Sequence, residues 1–262
     1  GYINNETQFV LDYFNIPVPK LLLTVKTQLA DLDIDEIDPV SKDISVKKAW
    51  QLMRKNNIKA LPIVNESGVF EGIATLSDIT KEYMDTASND HISLRNVPLK
   101  NIIETLSATV LTGYESDLVL SGRVLIAAMT PEEIQSILNK GDIVITGNIK
   151  DSQIAALNCG AKCLIITNNG SVDSDILSIA EKNNCVVMTT PGDTLATARL
   201  IFLSAPISKS MTTDVVSFKI DDFVDDIKDR MLQTRYRSYP VLDVKNRFRG
   251  FVSRYHLTRQ RK

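Results

Sequence analysis

Apolar residues change their spacing along the chain, and this spacing predicts short helices and strands that alternate. Apolar positions recur at helical intervals over residues 46–53, and Trp50 among them is expected in the core. Short apolar runs at 61–64 and 72–75 are typical of strands. The polar stretch 65–68 favours a turn between these runs. The sequence therefore predicts a helix, a β-hairpin and a second helix.

The same order of elements returns 178 residues later without a gap, which indicates an internal repeat. The identical pairs over positions 39 to 79 are Asp43 and Asp221, Val46 and Val224, Met53 and Met231, Pro62 and Pro240, Phe70 and Phe248, and Gly72 and Gly250. The paired prolines predict an edge position or a strand start, because proline has no N–H to donate. A unit this small has one sheet face to bury, so we expect the two copies to pack face to face.

Residues 98–203 separate the two copies and follow a different pattern. Short apolar runs at 143–145, 163–166 and 186–188 predict buried strands, and helical segments lie between them. Such alternation predicts a mostly parallel sheet covered by helices. The fold class is therefore α/β: a pair of α+β repeats and a central α/β domain.

The chain has 262 residues, of which 44% are apolar and 24% charged. This size indicates one large domain or two to three small ones. No apolar run reaches the ~18 residues of a membrane helix, and the first residues lack a basic and apolar signal pattern. Three cysteines are too few for a disulfide framework, so we expect buried, reduced thiols. A cytoplasmic location away from membranes follows.

Charge and histidine content restrict the chemistry of the chain. The net charge of −2 argues against a nucleic-acid partner. Residues 209–262 nevertheless carry thirteen Lys and Arg against seven Asp and Glu, which indicates an anionic ligand or a solvated, mixed-charge surface. His91 and His256 are the two histidines, so a catalytic triad or a histidine metal site is improbable. We expect no cofactor and no catalytic activity on this chain alone.

Each copy of the repeat resembles a CBS domain. In the first copy, Leu61-Pro62-Ile63-Val64 is followed by Gly72, Thr75 and Asp78 at the spacing of the CBS pattern. In the second copy, His256 stands where the family has an Asp that binds ribose. The resemblance implies a pair of α+β domains that bind adenine nucleotides in the clefts between the copies.

The resemblance also implies a set of nucleotide-binding residues, namely Lys59, Thr75, Leu76, Ser77, Asp78, Ser217, Tyr236, Arg237, Ser238, Ser253 and His256. Thr75 and the backbone N–H groups after it would hold phosphate, and Asp78 would accept the ribose hydroxyls, although both residues are also typical helix caps. Ser217 and Ser41 lie where CBS domains present backbone groups to the base. Because the copies differ at Asp78 and His256, we expect one good AMP site per chain, with its ribose on Asp78.

Basic and aromatic side chains complete the expected site. Lys59 and Arg237 would neutralise phosphates, and Tyr236 would stack on adenine. The alternative is a solvated surface. His256 would lend positive charge near phosphate, or it is a surface histidine of the last helix.

The central segment resembles a DRTGG domain. The resemblance rests on Gly141-Asp142-Ile143-Val144-Ile145 and on the later run Gly160-Ala161 to Thr167. The residues that give the family its name are altered, because Thr146-Gly147-Asn148 and Thr167-Asn168-Asn169 stand in their places. The resemblance therefore implies a scaffold or dimerisation role for this domain.

Residues 3–14 resemble a stretch of the Asp-His-His catalytic domain of family II (manganese-dependent) inorganic pyrophosphatases. A subset of that family carries a CBS–DRTGG–CBS insert after such a stretch. The resemblance implies the regulatory region of a cytosolic pyrophosphatase, inhibited by AMP and ADP and activated by ATP or diadenosine polyphosphates. Manganese or cobalt would belong to the parent enzyme. The expected partners are the catalytic domains of the same polypeptide and a second copy of the chain.

The expected division is 1–23 as a remnant of the catalytic domain, 24–97 as the first CBS domain, 98–203 as the DRTGG-like domain and 204–262 as the second CBS domain. Two other functions stay open. The chain is alternatively a dimerisation module without a working nucleotide site. It is alternatively an independent transferase-type domain, since DRTGG domains also occur in phosphotransacetylase-like proteins.

Overall fold

The computed structural model describes residues 3–18, 26–87, 93–234 and 236–258. The helices are α1 (Asn5–Tyr13), α2 (Val46–Lys55), α3 (Leu76–Ala87), α4 (Leu99–Leu106), α5 (Pro131–Ile137), α6 (Lys150–Asn158), α7 (Ser174–Lys182), α8 (Thr194–Leu200), α9 (Val224–Gln233) and α10 (Arg254–Thr258). The strands are β1 (Val40–Ser41), β2 (Ala60–Val64), β3 (Phe70–Thr75), β4 (Ser93–Pro98), β5 (Thr109–Thr112), β6 (Val119–Ile126), β7 (Ile143–Thr146), β8 (Cys163–Ile166), β9 (Val186–Thr189), β10 (Phe218–Lys219), β11 (Ser238–Leu242) and β12 (Phe248–Ser253). In the described ranges, no helix is long and apolar enough to cross a bilayer. His91 and the 23/24 boundary lie outside these ranges.

The repeat folds into two small sheets of the same design. One has the order β1-β2-β3 and the other β10-β11-β12, each with a parallel pair and an antiparallel hairpin. The hairpins share one register, because Ala60 faces Thr75 and Ser238 faces Ser253. The predicted repeat is therefore confirmed down to its strand pairing.

The two prolines lie in the central strands, so the prediction of an edge strand or a strand start is wrong. Pro62 lies in the middle of β2, and Pro240 occupies the same place in β11. The short partner strand explains why proline is tolerated there. β1 pairs only with Ile63 and Val64, so it does not reach the proline that lacks an N–H.

Each copy receives a segment from the other. We call residues 26–38 the first leader and residues 205–213 the second leader. Leu29 of the first leader is buried in the core of the second copy, and Asp35 pairs with Phe251 of β12. Ile207 of the second leader is buried in the core of the first copy, and Thr212 pairs with Ile73 of β3. The two copies are therefore completed by exchanged leaders.

Residues that are equivalent in the repeat meet where the two copies join. The rings of Phe70 and Phe248 stack with their centroids 6.1 Å apart. Next to them, Val69 pairs with Arg247 in an antiparallel bridge. Contact between equivalent residues is the signature of a two-fold relation. A local two-fold axis therefore passes between the copies, and the predicted face-to-face packing is confirmed.

The central domain contains a six-stranded sheet with the order β4-β6-β7-β8-β9-β5. The pairs from β6 to β9 are parallel, and the outer strands β4 and β5 are antiparallel to their neighbours. The predicted, mostly parallel sheet is confirmed. Residues 93–97, which the sequence division places in the first CBS domain, pair with β6 in this sheet.

The altered residues of the central domain keep an unusual backbone. Asn168 and Asn169 both adopt left-handed conformations, with φ of 56° and 49°. Asparagine tolerates this region better than other residues with a side chain. The two asparagines therefore adopt a backbone conformation that is also open to glycine.

The central domain is joined to the first copy by polar contacts at α4. The Lys47 ammonium donates to the Thr105 carbonyl at 2.6 Å, and the Asn101 amide donates to the Asp43 carbonyl at 2.8 Å. In the second copy, the carbonyl of the equivalent Asp221 accepts from the Gln28 amide of the first leader. At the first copy, the Asn101 amide of the central domain therefore makes the hydrogen bond that the Gln28 amide of the leader makes at the second.

Trp50 does not lie in the core, so that prediction is wrong. Its side chain is 41% exposed on α2, and the Arg54 guanidinium lies 4.9 Å from its ring centre. Trp50 contributes to an apolar groove with Leu76 of α3 and Leu200 of α8. The helical spacing located α2 correctly but did not distinguish its core face from this groove.

The cysteines are unpaired thiols. Cys163 and Cys185 are fully buried, and Cys159 is half-buried. Burial raises the pKa of Cys163 well above its ordinary value and raises the pKa of Cys185 to about 12. Such thiols stay protonated and unreactive at neutral pH.

Candidate nucleotide site

The first copy places Thr75 and Asp78 at the junction of β3 and α3. One oxygen of the Asp78 carboxylate accepts from the Thr75 N–H at 2.9 Å and from the Thr75 hydroxyl at 2.7 Å. The Thr75 hydroxyl in turn accepts from the Asp78 N–H at 3.2 Å. This reciprocal pair caps the helix. The second Asp78 oxygen is left for a ligand, so capping and ligand binding are compatible.

The second copy builds the same cap with a histidine. The Ser253 N–H donates to His256 Nδ1 at 3.0 Å, and the Ser253 hydroxyl lies 2.8 Å from the same nitrogen. An Nδ1 that accepts from a backbone N–H carries no proton, so the ring proton lies on Nε2. The cap therefore leaves His256 Nε2 as the ring nitrogen that can donate to another group.

A cleft of about 990 Å³ opens between the two copies beside His256. Its walls come from the first leader, the turn before β2, the start of β11 and the end of β12 with α10. The lining residues are Leu32, Asp33, Ile34, Asp35, Glu36, Ile37, Asn57, Ile58, Lys59, Ala60, Ser238, Phe251, Tyr255 and His256. We call this space the His256 cleft. It brings together Lys59, Ser238 and His256 from the expected set.

Other expected residues occupy the place that the repeat relates to this cleft. Tyr236, Arg237 and Asp78 are equivalent to Ile58, Lys59 and His256 of the cleft. We call this place the Asp78 site. Tyr236 is exposed and packs edge-on against Tyr239 at 5.9 Å, and Arg237 is exposed beside it.

Four further residues that the resemblance singles out lie away from the lining of the His256 cleft. Leu76 and Ser77 are exposed on the first turn of α3. Ser217 is half-buried and directly precedes β10, and Ser41 is exposed within β1. In the part of the chain that the structure describes, none of these four residues lines the His256 cleft.

The sequence analysis missed the contribution of the first leader. Six consecutive residues, 32–37, line the His256 cleft. No local spacing reveals this, because the leader lies beside a strand of the other copy. The sequence feature that could have revealed this contribution is the run of carboxylates at Asp33, Asp35 and Glu36, just before the first repeat.

Comparison with known families defines the class of protein. The CBS domain family matches residues 29–85 and 205–261, and the DRTGG domain family matches residues 101–204. The chain is thus a pair of CBS domains separated by a DRTGG domain.

Two curated relatives match nearly the whole chain. A cobalt-dependent inorganic pyrophosphatase of Clostridium perfringens is 37% identical over 98% of this chain and 47% of its own length. A protein of Thermotoga maritima named "Probable manganese-dependent inorganic pyrophosphatase" is 30% identical over the same shares. The chain therefore spans about half the length of these curated relatives.

A solved structure shows the same domain combination. The CBS and DRTGG domains of the regulatory region of Clostridium perfringens pyrophosphatase, complexed with the activator diadenosine tetraphosphate, are 34% identical with a TM-score of 0.79. The match covers 87% of this chain and 100% of that one. This chain belongs to the family of CBS–DRTGG regulatory regions of inorganic pyrophosphatases.

Proposed function

We propose that this chain is the adenine-nucleotide-binding regulatory region of a cytosolic inorganic pyrophosphatase. AMP and ADP would inhibit the parent enzyme, and ATP or diadenosine polyphosphates would activate it. The observation that carries the proposal is the His256 cleft, which is large enough for a nucleotide and is lined by both copies. The ligand of the Clostridium perfringens regulatory region, diadenosine tetraphosphate, supports this ligand class.

The cleft offers the groups that a nucleotide needs. Ile34, Ile58 and Phe251 provide apolar walls for a base, and Lys59 provides a cation for phosphate. The same cleft combines the first leader with β12 of the second copy. A ligand that fills it therefore contacts both halves of the molecule. It shifts the parent enzyme only if it prefers one arrangement of these halves.

The rest of the parent enzyme would contact α1. Phe9 and Tyr13 of this helix and Phe14 directly after it are 70%, 74% and 64% exposed, and none of the described residues of the helix is buried. Such a helix favours burial in a neighbouring domain. We place the catalytic domains of the same polypeptide there, together with their manganese or cobalt. Among the described residues, no group of three His, Cys, Asp or Glu is placed to hold a metal ion.

The proposal includes domain boundaries at 23/24 and 203/204, a cytoplasmic location and a homodimer. The expected boundary at 97/98 moves to before Ser93, because β4 belongs to the central sheet. It also includes the expected site residues at both the His256 cleft and the Asp78 site. It assigns no catalysis to this chain alone.

Calorimetric titration of the chain with AMP, ADP, ATP and diadenosine tetraphosphate tests the proposal. We expect saturable heat with all four ligands. Lys59→Ala should weaken AMP binding by roughly tenfold, because a charged partner of the phosphate is lost. Lys48→Ala is the matched control, since Lys48 is exposed on α2 and does not line the cleft.

Two results would overturn the proposal. The absence of heat with millimolar AMP would favour a dimerisation module without a nucleotide site. Release of phosphate from pyrophosphate by this chain alone would make it an enzyme in its own right.

A further inference from the structure

The two nucleotide positions differ in what they offer a ribose. At the Asp78 site, the carboxylate has a free oxygen for the hydroxyls of a sugar. At the His256 cleft, the equivalent side chain is an imidazole whose Nδ1 is used by the Ser253 N–H. A neutral imidazole with this tautomer can only donate into the cleft. The His256 cleft therefore needs another acceptor if it is to hold a diol.

Asp35 of the first leader lies in the place where that acceptor is needed. One oxygen of its carboxylate is 3.4 Å from His256 Nε2, the ring nitrogen that the cap does not use. Both residues line the cleft together with Lys59. In the described ranges, His256 is the one basic side chain within ion-pair distance of Asp35. The carboxylate thus has remaining lone pairs for a ligand.

The backbone of Asp35 is held by strand pairing, and its side chain is 64% exposed beside the cleft. The Asp35 N–H donates to the Phe251 carbonyl at 3.0 Å, and the Phe251 N–H donates to the Asp35 carbonyl at 2.9 Å. On the other side of this bridge, a Cβ on Gly250 would come within 2.8 Å of the Asp35 carbonyl oxygen. These backbone contacts, and not contacts of the side chain, therefore fix where Asp35 lies.

We propose that Asp35 is the ribose acceptor of the His256 cleft, so that each chain holds a second nucleotide whose diol is read by the leader of the opposite copy. This inference rests on the proposed nucleotide function and extends it. The two hydroxyls of a ribose can both donate to one carboxylate. His256 Nε2 lies 3.4 Å from the same carboxylate. Lys59 supplies the positive charge for the phosphate. The ligand class is a nucleoside phosphate with an intact 2′,3′-diol.

Titration in an Asp78→Asn background tests the inference, because that change removes the carboxylate of the other site. We expect the Asp78→Asn chain to bind one equivalent of AMP and to bind 2′-deoxy-AMP at least tenfold more weakly. Adding Asp35→Asn should reduce the preference for AMP over 2′-deoxy-AMP, expressed as the ratio of their affinities, to about twofold or less. Adding Asp33→Asn instead should preserve it, since Asp33 lines the same cleft without facing His256. Thermal unfolding should show that all three proteins are folded.

The possible results separate the inference from the function on which it rests. Failure of the wild-type chain to bind AMP would overturn both. Binding by wild type but not by Asp78→Asn would overturn only the second nucleotide. An unchanged preference for AMP over 2′-deoxy-AMP in Asp78→Asn with Asp35→Asn would also overturn the role of Asp35.

Discussion

Asp78 and His256 perform the same backbone task with different chemistry. Each accepts the N–H of the residue three positions earlier and so caps the last helix of its copy. The carboxylate leaves an acceptor facing outward, whereas the imidazole leaves a donor. One substitution between equivalent positions therefore makes the two nucleotide positions chemically unequal while the fold stays the same.

Substitution of Asp78 should separate its two roles. Asp78→Ala should weaken AMP binding at the Asp78 site by roughly 1.5–3 kcal/mol, because a charged acceptor is lost. It should also cost about 1 kcal/mol of folding stability, because the Thr75 N–H loses its cap. Asp78→Asn should lose the affinity but keep most of the stability, since an amide oxygen still accepts that N–H.

Calorimetry with AMP and thermal unfolding measure the two effects. A folded Asp78→Asn chain with unchanged AMP affinity at every site would remove Asp78 from ligand binding.

At the level of elements, the repeat depends on glycines where a leader crosses a strand. A Cβ on Gly72 would lie 2.4 Å from the Thr212 carbonyl oxygen of the second leader. The equivalent Gly250 faces the first leader in the same way. These glycines allow a backbone to approach, which explains their identity in both copies.

Gly72→Ala should therefore destabilise the first copy by roughly 1–3 kcal/mol, the usual range for overpacking. The change forces the second leader away from β3 and weakens the Thr212 bridge to Ile73. Gly147→Ala is the control, because nothing lies within 4 Å of a Cβ there. Denaturant unfolding measures both variants. Equal stability of the two would contradict the close approach at Gly72.

Local patterns in the sequence predict local elements well. The hairpins and the parallel strands β7 to β9 were visible because apolar spacing and turn residues are local signals. The region from β4 to α5 was not interpreted. Its outer strands are partly exposed, so their apolar pattern is weak. Even there, Thr130 and Glu133 form a capping box that marks the start of α5.

The candidate site was predictable only in part, for a physical reason. Thr75 and Asp78 were identified because they match the local spacing of the CBS pattern, and the structure shows that they also cap α3. Asp35 was not, because its site role depends on pairing with Phe251, far along the chain. Trp50 was misplaced because helical periodicity does not distinguish a core from a groove on the surface. Local sequence patterns carry no information about contacts between residues that are far apart in the chain, and these contacts decide both positions.

For the whole molecule, the apolar groove beside Trp50 favours self-association. Trp50, Leu76 and Tyr83 line it, and Met84 nearby is 61% exposed. Exposed apolar clusters of this kind mark contact surfaces, and a two-fold pair of chains is the commonest way to cover them. Light scattering at micromolar concentration should therefore report about twice the chain mass of 29.1 kDa.

The substitution Trp50→Glu should shift this mass toward that of one chain, since a charge in the groove opposes its burial. Lys48→Glu is the control, because Lys48 is exposed on the same helix but does not line the groove. A monomeric wild-type chain would refute the dimer. A dimer that tolerates Trp50→Glu would place the contact elsewhere.

The exchange of leaders also governs the order in which the molecule can be made. Gln28 bonds to a carbonyl 193 residues further along the chain, so the first leader has no partner until the start of the second copy has been synthesised. The first copy likewise waits for Ile207 to fill its core. All strands of the central sheet precede Ile207 in the chain, so this domain can fold before the two outer copies are complete. The two outer copies are then completed by long-range contacts, which form more slowly than local ones.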